Sequence, residues 1–478
     1  TLPKLIGKTT QKILKSSTFE FSTPTRMKRI NIYSALTVSL LVVSFGCHKP
    51  KPYDLIVENA IIFETTEGKA SPALKTILIN ADTIAGIVDY ETPVRTKKVV
   101  DADGRLVTPG NIDTHVCLQN VIEGSKNPQS SYPKVLTNYY RNNFSRRYLP
   151  YGITTALDLE PNDSWTSQIL DWTPNPKFTT LLVAYQLPKV SFISSNRPTT
   201  PNIDSIAKAL QSKGLGYVFL DEQEAVFPQK VYEMLKGKGM VVFTRPHFGT
   251  FLRDSSKNIV SISTLISNAL HYISKQNDLS RQIKNVYGSI DTFPKELFIL
   301  EAFKYMVENE PALLDKIAQE FGNRKATISS DLYGMAEFAG LTPERNLSLT
   351  LPRELQHRAE YNFNHLLSYV KKLHDMGVKL LIGTNSPLGG LAYETEQMLL
   401  SEAGIPASDV LVISTLNAAE ALGISSKTGC IKVGSKADLI IYDMNPLEEP
   451  SNFTCTRRVI NGGKLYKRNS QKTEESEL

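Results

Sequence analysis

Between Cys117 and Gly423, short runs of β-branched and aliphatic residues alternate with segments of helical spacing. That alternation restricts the fold more than any other feature, because strands joined through a helix return to the same edge and run parallel. The runs are 151–159, 178–185, 216–220, 240–244, 325–329 and 378–385. Before the last of them, Phe363, Leu366, Leu367, Val370 and Leu373 fall three and four apart, the apolar stripe of a helix. The series is preceded by a Pro-Gly turn at Pro109-Gly110 and a strand over 111–117. Side chains two apart on a strand share a face, so Asp113, His115 and Cys117 point together. A His and a Cys at one strand end are half of a metal site, or equally a buried imidazole and a buried thiol. From 246 to 323 the pattern is helical, broken at Tyr287-Gly288-Ser289 and Phe293-Pro294, and no strand can be placed; an insertion or lid fits there.

The flanks differ. Runs at 54–63, 76–80, 83–88 and 98–104, separated by turn residues, predict a small antiparallel sheet. Residues 458–465 predict a final strand pair around Gly462-Gly463. A helix is expected near 407–410 with Ser408 as its cap. The net charge of +6 is small for 478 residues and partly comes from a basic N-terminus, so it gives no ground for a nucleic-acid partner and none is expected. The four cysteines, Cys47, Cys117, Cys430 and Cys455, are too scattered for a disulfide framework, and Cys430 and Cys455 are expected as separate buried thiols.

At the other end, Met27-Lys28-Arg29 precedes an apolar run ending at Cys47, the order of a secretory signal. The run is shorter than the ~20 residues a spanning helix needs. Ser44-Phe45-Gly46-Cys47 resembles a bacterial lipobox, which implies a lipidated Cys47 and an exported, membrane-anchored lipoprotein of the cell envelope. Residues 1–26 then form an upstream extension, 27–52 the signal, lipobox and tether, and 468–478 a polar, disordered tail.

Several motifs resemble the amidohydrolase superfamily, in its imidazolonepropionase/prolidase-like branch. The stretch 107–117 is similar to its first barrel strand, V-x-P-G-x-I-D-x-H-x-H, except that Cys117 stands for the second His. Gly152-Ile153-Thr154-Thr155 resembles a G-x-T-T segment, and Gly383-Thr384-Asn385 the G-T-D of the last strand. Residues 415–423 resemble T-x-N-x-A-x-x-L-G, and 429–439 resemble G-x-I-x-x-G-x-x-A-D-L. The resemblance implies an α/β fold: a (β/α)8 TIM-like barrel over 111–423, with a β-sandwich side domain built from 53–110 and 424–467.

It also implies metal-dependent hydrolysis of carbon–nitrogen bonds, with imidazoles, a carboxylated Lys and a last-strand Asp holding the ions. Here the chain departs repeatedly. His115 is present, but Cys117 replaces its partner, and residues 218–221 contain no Lys. Thr244-Arg245 stands where a His is expected, with His247 beyond Pro246. No His stands near the expected sixth strand, just before Thr327-Ile328, and Asn385, neutral and unable to act as a base, replaces the Asp. His271, His357, His365 and His374 sit in helical patterns and read as packing or surface residues.

Two readings follow. In one, the metal site has decayed, and the protein binds a small amide-like or peptide-like molecule or a partner. In the other, a reduced site of His115, Cys117 and His247 holds one divalent metal such as zinc, with Asp221, Glu222 or Asp158 as base. By resemblance its substrates are cyclic amides, N-acyl amino acids and dipeptides.

Overall fold

The computed structural model describes residues 51–123, 135–161, 163–187, 203–222, 229–247, 258–273, 276–287, 294–342 and 351–466. The expected signal, Cys47 and the tail from 468 lie outside the described residues. Among those described, no helix is long and apolar enough to cross a membrane.

The chain starts in a mixed sheet. Its strands are β1 (Leu55–Glu64), β2 (Lys69–Ala70), β3 (Lys75–Asn80), β4 (Thr83–Asp89), β5 (Val99–Asp101) and β6 (Leu106–Pro109). The first half of β1 pairs with β3 and β5, and the second half with β6 and β2. Between these halves the register shifts, and Asn59 there has φ 54°. A bulge of this kind bends a strand, so β1 can serve two sets of neighbours. The sheet expected to be antiparallel is therefore mixed: β5 and β6 both run parallel to β1. The chain between β1 and these strands is long enough to supply the crossover that parallel pairing needs.

Eight strands then run in parallel: β7 (Asn111–Val116), β8 (Ile153–Asp158), β9 (Thr180–Gln186), β10 (Tyr217–Asp221), β11 (Val241–Arg245), β12 (Asn258–Ile259), β13 (Thr327–Ser329) and β14 (Lys379–Leu381). They are neighbours in chain order. The sixth, β12, is two residues long and lies inside the segment where sequence patterning predicts no strand. Alternate residues serve two cores. Ile112, Leu157, Phe219, Phe243 and Leu381 form one buried cluster, while Val218, Leu220, Val242 and Ile328 join another built largely from helices. The barrel is thus a filled core, and its chemistry must sit at the strand ends.

Closure between first and last strands uses single bonds. The Thr114 N–H donates to the Ile382 carbonyl at 2.9 Å, and the Asn385 N–H to the His115 carbonyl at 2.8 Å. Buried Asp113 adds a side-chain link. It accepts the Thr384 hydroxyl at 2.7 Å, the Thr384 N–H at 3.2 Å and the His115 N–H at 3.1 Å. Burial pushes its carboxyl up to about 7 against the pull of those hydrogen bonds.

After the barrel, β15 (Leu439–Tyr442) joins β6 antiparallel, followed by β16 (Arg457–Asn461) and β17 (Lys464–Leu465), so both chain ends build one sheet. The turn between the last two strands has Gly462 at φ 52° and Gly463 at φ 72°. A Cβ on Gly463 would lie 1.9 Å from the Ala81 carbonyl oxygen, so only glycine fits. The helix Ala407–Val412 starts after Pro406, whose extended backbone makes the entry; Ser408 is inside it and faces Asp409 rather than capping.

Two buried carboxyl groups organise the helices. Glu301, on the helix Lys295–Asn309, accepts two bonds from Arg358 at 2.7 Å each, one from Asn362 at 2.8 Å and one from the Tyr287 hydroxyl at 3.0 Å. This joins three helices: Gln276–Tyr287, Lys295–Asn309 and Arg353–Asp375. Glu396, on the helix Gly390–Glu402, accepts the Leu332 and Tyr333 N–H groups at 2.6 and 2.7 Å. Those are buried N–H groups at the start of the helix Tyr333–Ala339, which have no partner within the helix and are capped here by a side chain from another element.

Candidate functional site

The strand ends place each candidate in turn. His115 ends on the buried side of β7 and is 3% exposed. Burial lowers its pKa to about 4; the nearby Glu160 carboxylate opposes this, Arg245 and Lys295 add to it, and a hydrogen bond with the Val260 backbone opposes it. The ring is neutral at pH 7, and its Nδ1 is buried without a hydrogen-bond partner among the described residues. Cys117 follows with a free, partly exposed thiol, pushed up to about 11 chiefly by burial. Without a neighbouring cation it is a thiol at neutral pH.

Asp158, at the end of β8, accepts the N–H groups of Leu118 at 3.3 Å and Glu160 at 3.2 Å. Burial raises it to about 7, against those two bonds. Its hydrogen bonds give it a structural task, starting the helix Leu118–Glu123. Asp221 and Arg245 are opposite one another in the β10–β11 register. The Arg245 Nη1 donates to Asp221 at 3.1 Å and Nη2 to Glu160 at 2.6 Å. The guanidinium carbon lies 5.3 Å from the centre of the buried Phe219 ring. Glu222, fully buried, is held through its N–H to the Arg245 carbonyl at 2.9 Å. His247 belongs with His271, whose pKa is lowered by burial and by that second imidazole. His357, His365 and His374 lie on the helix Arg353–Asp375 among Glu360, Tyr361 and Asp375, away from the strand ends.

Asn385 is exposed at the end of β14 with φ 42°, and Asp331 follows β13 with φ 48°. Left-handed backbone at two non-glycine residues is costly and is held here by the closing bonds: Asn385 to His115, and the Asp331 N–H to the Gly383 carbonyl at 3.1 Å. Both residues line a cavity of about 500 Å³ that also takes in Lys295, Tyr333 and Ser386. Burial pushes the Asp331 carboxyl up to about 7, with Lys295 and Arg245 pulling it down.

Fit to a metal can be judged from these donors. Among the described residues no three His, Cys, Asp or Glu side chains are grouped to hold an ion. Glu160, the carboxylate that acts on His115, is already shared with Asp221 by the Arg245 guanidinium. Among the described residues, these donors do not make up a binuclear site. Glu160, Arg245, Asp331 and Lys295 are among the charged groups here, with Glu296 and Glu337 on the cavity wall, and sequence patterning does not single them out as a site. The available signal was a charged residue just past a strand, visible for Asp331 after Thr327-Ile328-Ser329-Ser330.

Comparison with known proteins bears on the family. Residues 341–465 match the model of the Amidohydrolase family. The chain is 32% identical over 132 residues to 5-methylthioadenosine/S-adenosylhomocysteine deaminase of Moorella thermoacetica, covering 23% of this chain and 31% of that protein. It is 30% identical over 111 residues to imidazolonepropionase of Bacillus velezensis, covering 22% and 26%. These matches support the amidohydrolase superfamily. The matched parts span less than a third of either curated relative. Among solved structures, a Xaa-Pro dipeptidase with bound methionine aligns over 87% of this chain and 100% of its own, at 16% identity and TM-score 0.55. Ochratoxinase of A. niger aligns over 88% and 97%, at 13% identity and TM-score 0.58. At such identities the likeness is one of fold: an amidohydrolase-like, nearly closed parallel barrel with a second curled sheet.

Proposed function

We propose that this protein is an amidohydrolase-fold binding protein whose barrel mouth takes a small amide-like or peptide-like molecule without metal-dependent turnover. The observation that carries this reading is Arg245, fixed between Glu160 and Asp221 at 2.6 and 3.1 Å, where an ion would need those carboxylates. The cavity lined by Lys295, Asp331 and Asn385 suits such a ligand. The Asn385 amide can both donate and accept, and Lys295 offers a cation to a carboxylate. The bend of β1 supports reading the side sheet as a β-sandwich. The lipobox-like Ser44-Phe45-Gly46-Cys47 supports export and lipid anchoring at Cys47.

A second reading, a working hydrolase of carbon–nitrogen bonds with a reduced site, is favoured by one observation: the unpartnered, neutral Nδ1 of His115. One experiment separates them. Zinc, manganese and iron are measured in the purified protein, and amides and dipeptides are assayed with and without added metal, with ligand binding followed by thermal shift. Binding of a panel member without metal or turnover is expected. Stoichiometric metal with turnover abolished by His115→Ala would overturn the first reading in favour of the second.

A further inference from the structure

We propose a second site, at the foot of the barrel: Lys236, Lys325 and Lys379 surround a cavity that binds the phosphate group of a small soluble molecule. It lies at the starts of the strands, away from the mouth, and does not depend on how the mouth is read.

Parallel register builds one wall of this cavity. Asn258, Thr327 and Lys379 are partners across the adjacent strands β12, β13 and β14, and each begins its strand. Neighbouring strands lie ~4.8 Å apart, so the three side chains form one row. Lys236 reaches the same space from the helix Gln229–Gly237, and Glu420 from the helix Ala418–Ala421. The cavity measures about 350 Å³, room for a phosphate group and a small molecule that carries it. Chemistry in such barrels is kept at the strand ends, so a site at their starts is one for binding.

Charge selects the ligand. Three lysines face one carboxylate, Glu420, which lies 2.5 Å from the Lys379 ammonium. Among the described residues Lys236 and Lys325 have no acidic partner. The Lys236 ammonium sits 6.0 Å from the centre of the Tyr232 ring, a contact that cancels no charge. Two positive charges are left over, which suits a dianion. Each ammonium is a compact point charge with three donors, and lysines on three separate elements can meet different oxygens of one phosphate. The Thr327 hydroxyl adds a neutral donor, and the Asn258 amide, which gives one N–H to the Val242 carbonyl at 3.2 Å, keeps its second.

Lys325 stands where the fold alone would place another residue. The helix Pro311–Asn323 closes with the Ala326 N–H on the Phe321 carbonyl and the Lys325 N–H on the Gly322 carbonyl, both at 2.9 Å. In this turn the left-handed position, here Lys325 at φ 49°, is filled at least cost by glycine. A lysine is unfavourable for the turn, and its exposed ammonium on the cavity wall gives the reason for it.

The test titrates the purified full chain with inorganic phosphate and with glycerol 3-phosphate by calorimetry. Succinate is the carboxylate dianion for comparison, and vesicles containing phosphatidic acid offer the same group from a lipid. About one phosphate per chain is expected, weakened by added salt, with succinate bound at least tenfold less tightly and no retention on vesicles. Lys236→Gln and Lys325→Gly should each weaken phosphate at least fivefold, and Glu420→Gln, which removes the competing carboxylate, should tighten it. Lys325→Gly should also keep or raise the melting temperature, because glycine suits the turn. A lysine serving only the helix end would show the reverse, a lower melting temperature with phosphate binding unchanged, and that result overturns the inference. So does a folded K236Q/K325G protein that binds phosphate as the unaltered chain does, or an unaltered chain that binds none at millimolar concentration. Succinate bound as tightly as phosphate, or retention on vesicles without binding of free phosphate, overturns it as well.

Discussion

Glu396 gives a prediction whose size follows from the structure. Its Oε1 accepts two N–H groups, at 2.6 and 2.7 Å, from the turn that carries Asp331 into the mouth cavity. The side chain is fully buried. Burial raises its pKa from 4.5 to about 8, opposed by the Ser330 hydroxyl and the two N–H bonds. The unfolded chain ionises Glu396 near 4.5, while the folded one keeps it protonated to about 8. Over that window the unfolded state binds fewer protons, so stability falls as pH rises, by up to ~1.4 kcal/mol per unit and at most about 5 kcal/mol in all. The contribution is fully present below 4.5 and is lost as pH passes through about 8. Glu396→Gln keeps the accepting oxygen but cannot ionise, so this part of the slope should vanish. Glu396→Ala should cost about 3–5 kcal/mol at pH 6, since two buried N–H groups lose their acceptor and a cavity opens. Urea unfolding at pH 5, 6.5 and 8 reads all three proteins. The unaltered protein should lose ground to E396Q as pH rises. Parallel pH curves for the two, or an E396A protein as stable as the parent, would refute the argument.

Arg358→Met should destabilise by about 3–5 kcal/mol, because Glu301 would remain buried with its ionic partner gone; chemical denaturation measures the loss, and a cost under 1 kcal/mol would show Glu301 to be satisfied by Asn362 and Tyr287 alone. Gly463→Ala should lower stability by more than about 2 kcal/mol, because a positive φ and a steric overlap with the Ala81 carbonyl act together; an unchanged melting temperature would contradict the turn as described.

The sequence carried much of the barrel because seven of its strands are apolar runs bounded by turns, as at 151–159 and 378–385. The eighth was hidden for a physical reason. β12 is only Asn258–Ile259, too short for any period, and is held by its ladders to β11 and β13. The mixed side sheet was hidden too, since parallel pairing of β1 with β5 and β6 leaves no local pattern. At the mouth, His115 and Asn385 could be named from motifs, yet the Arg245 cluster could not. Glu160, Asp221 and Arg245 meet only once parallel register and barrel curvature bring three strand ends together. The capping role of Glu396 was equally out of reach, because its partners, Leu332 and Tyr333, lie in a different part of the chain.

Strand β6 lies between β1 and β15 in the side sheet, and its partner Leu439 is made long after Pro109. At typical synthesis rates the ribosome needs roughly half a minute to cover that interval. Throughout it, one edge of β6 presents unpaired backbone groups that any other strand can match. The barrel must therefore assemble beside an unfinished sheet. A chain interrupted before 439 keeps that edge permanently, and such fragments should be captured by chaperones or aggregate even where their barrel is complete.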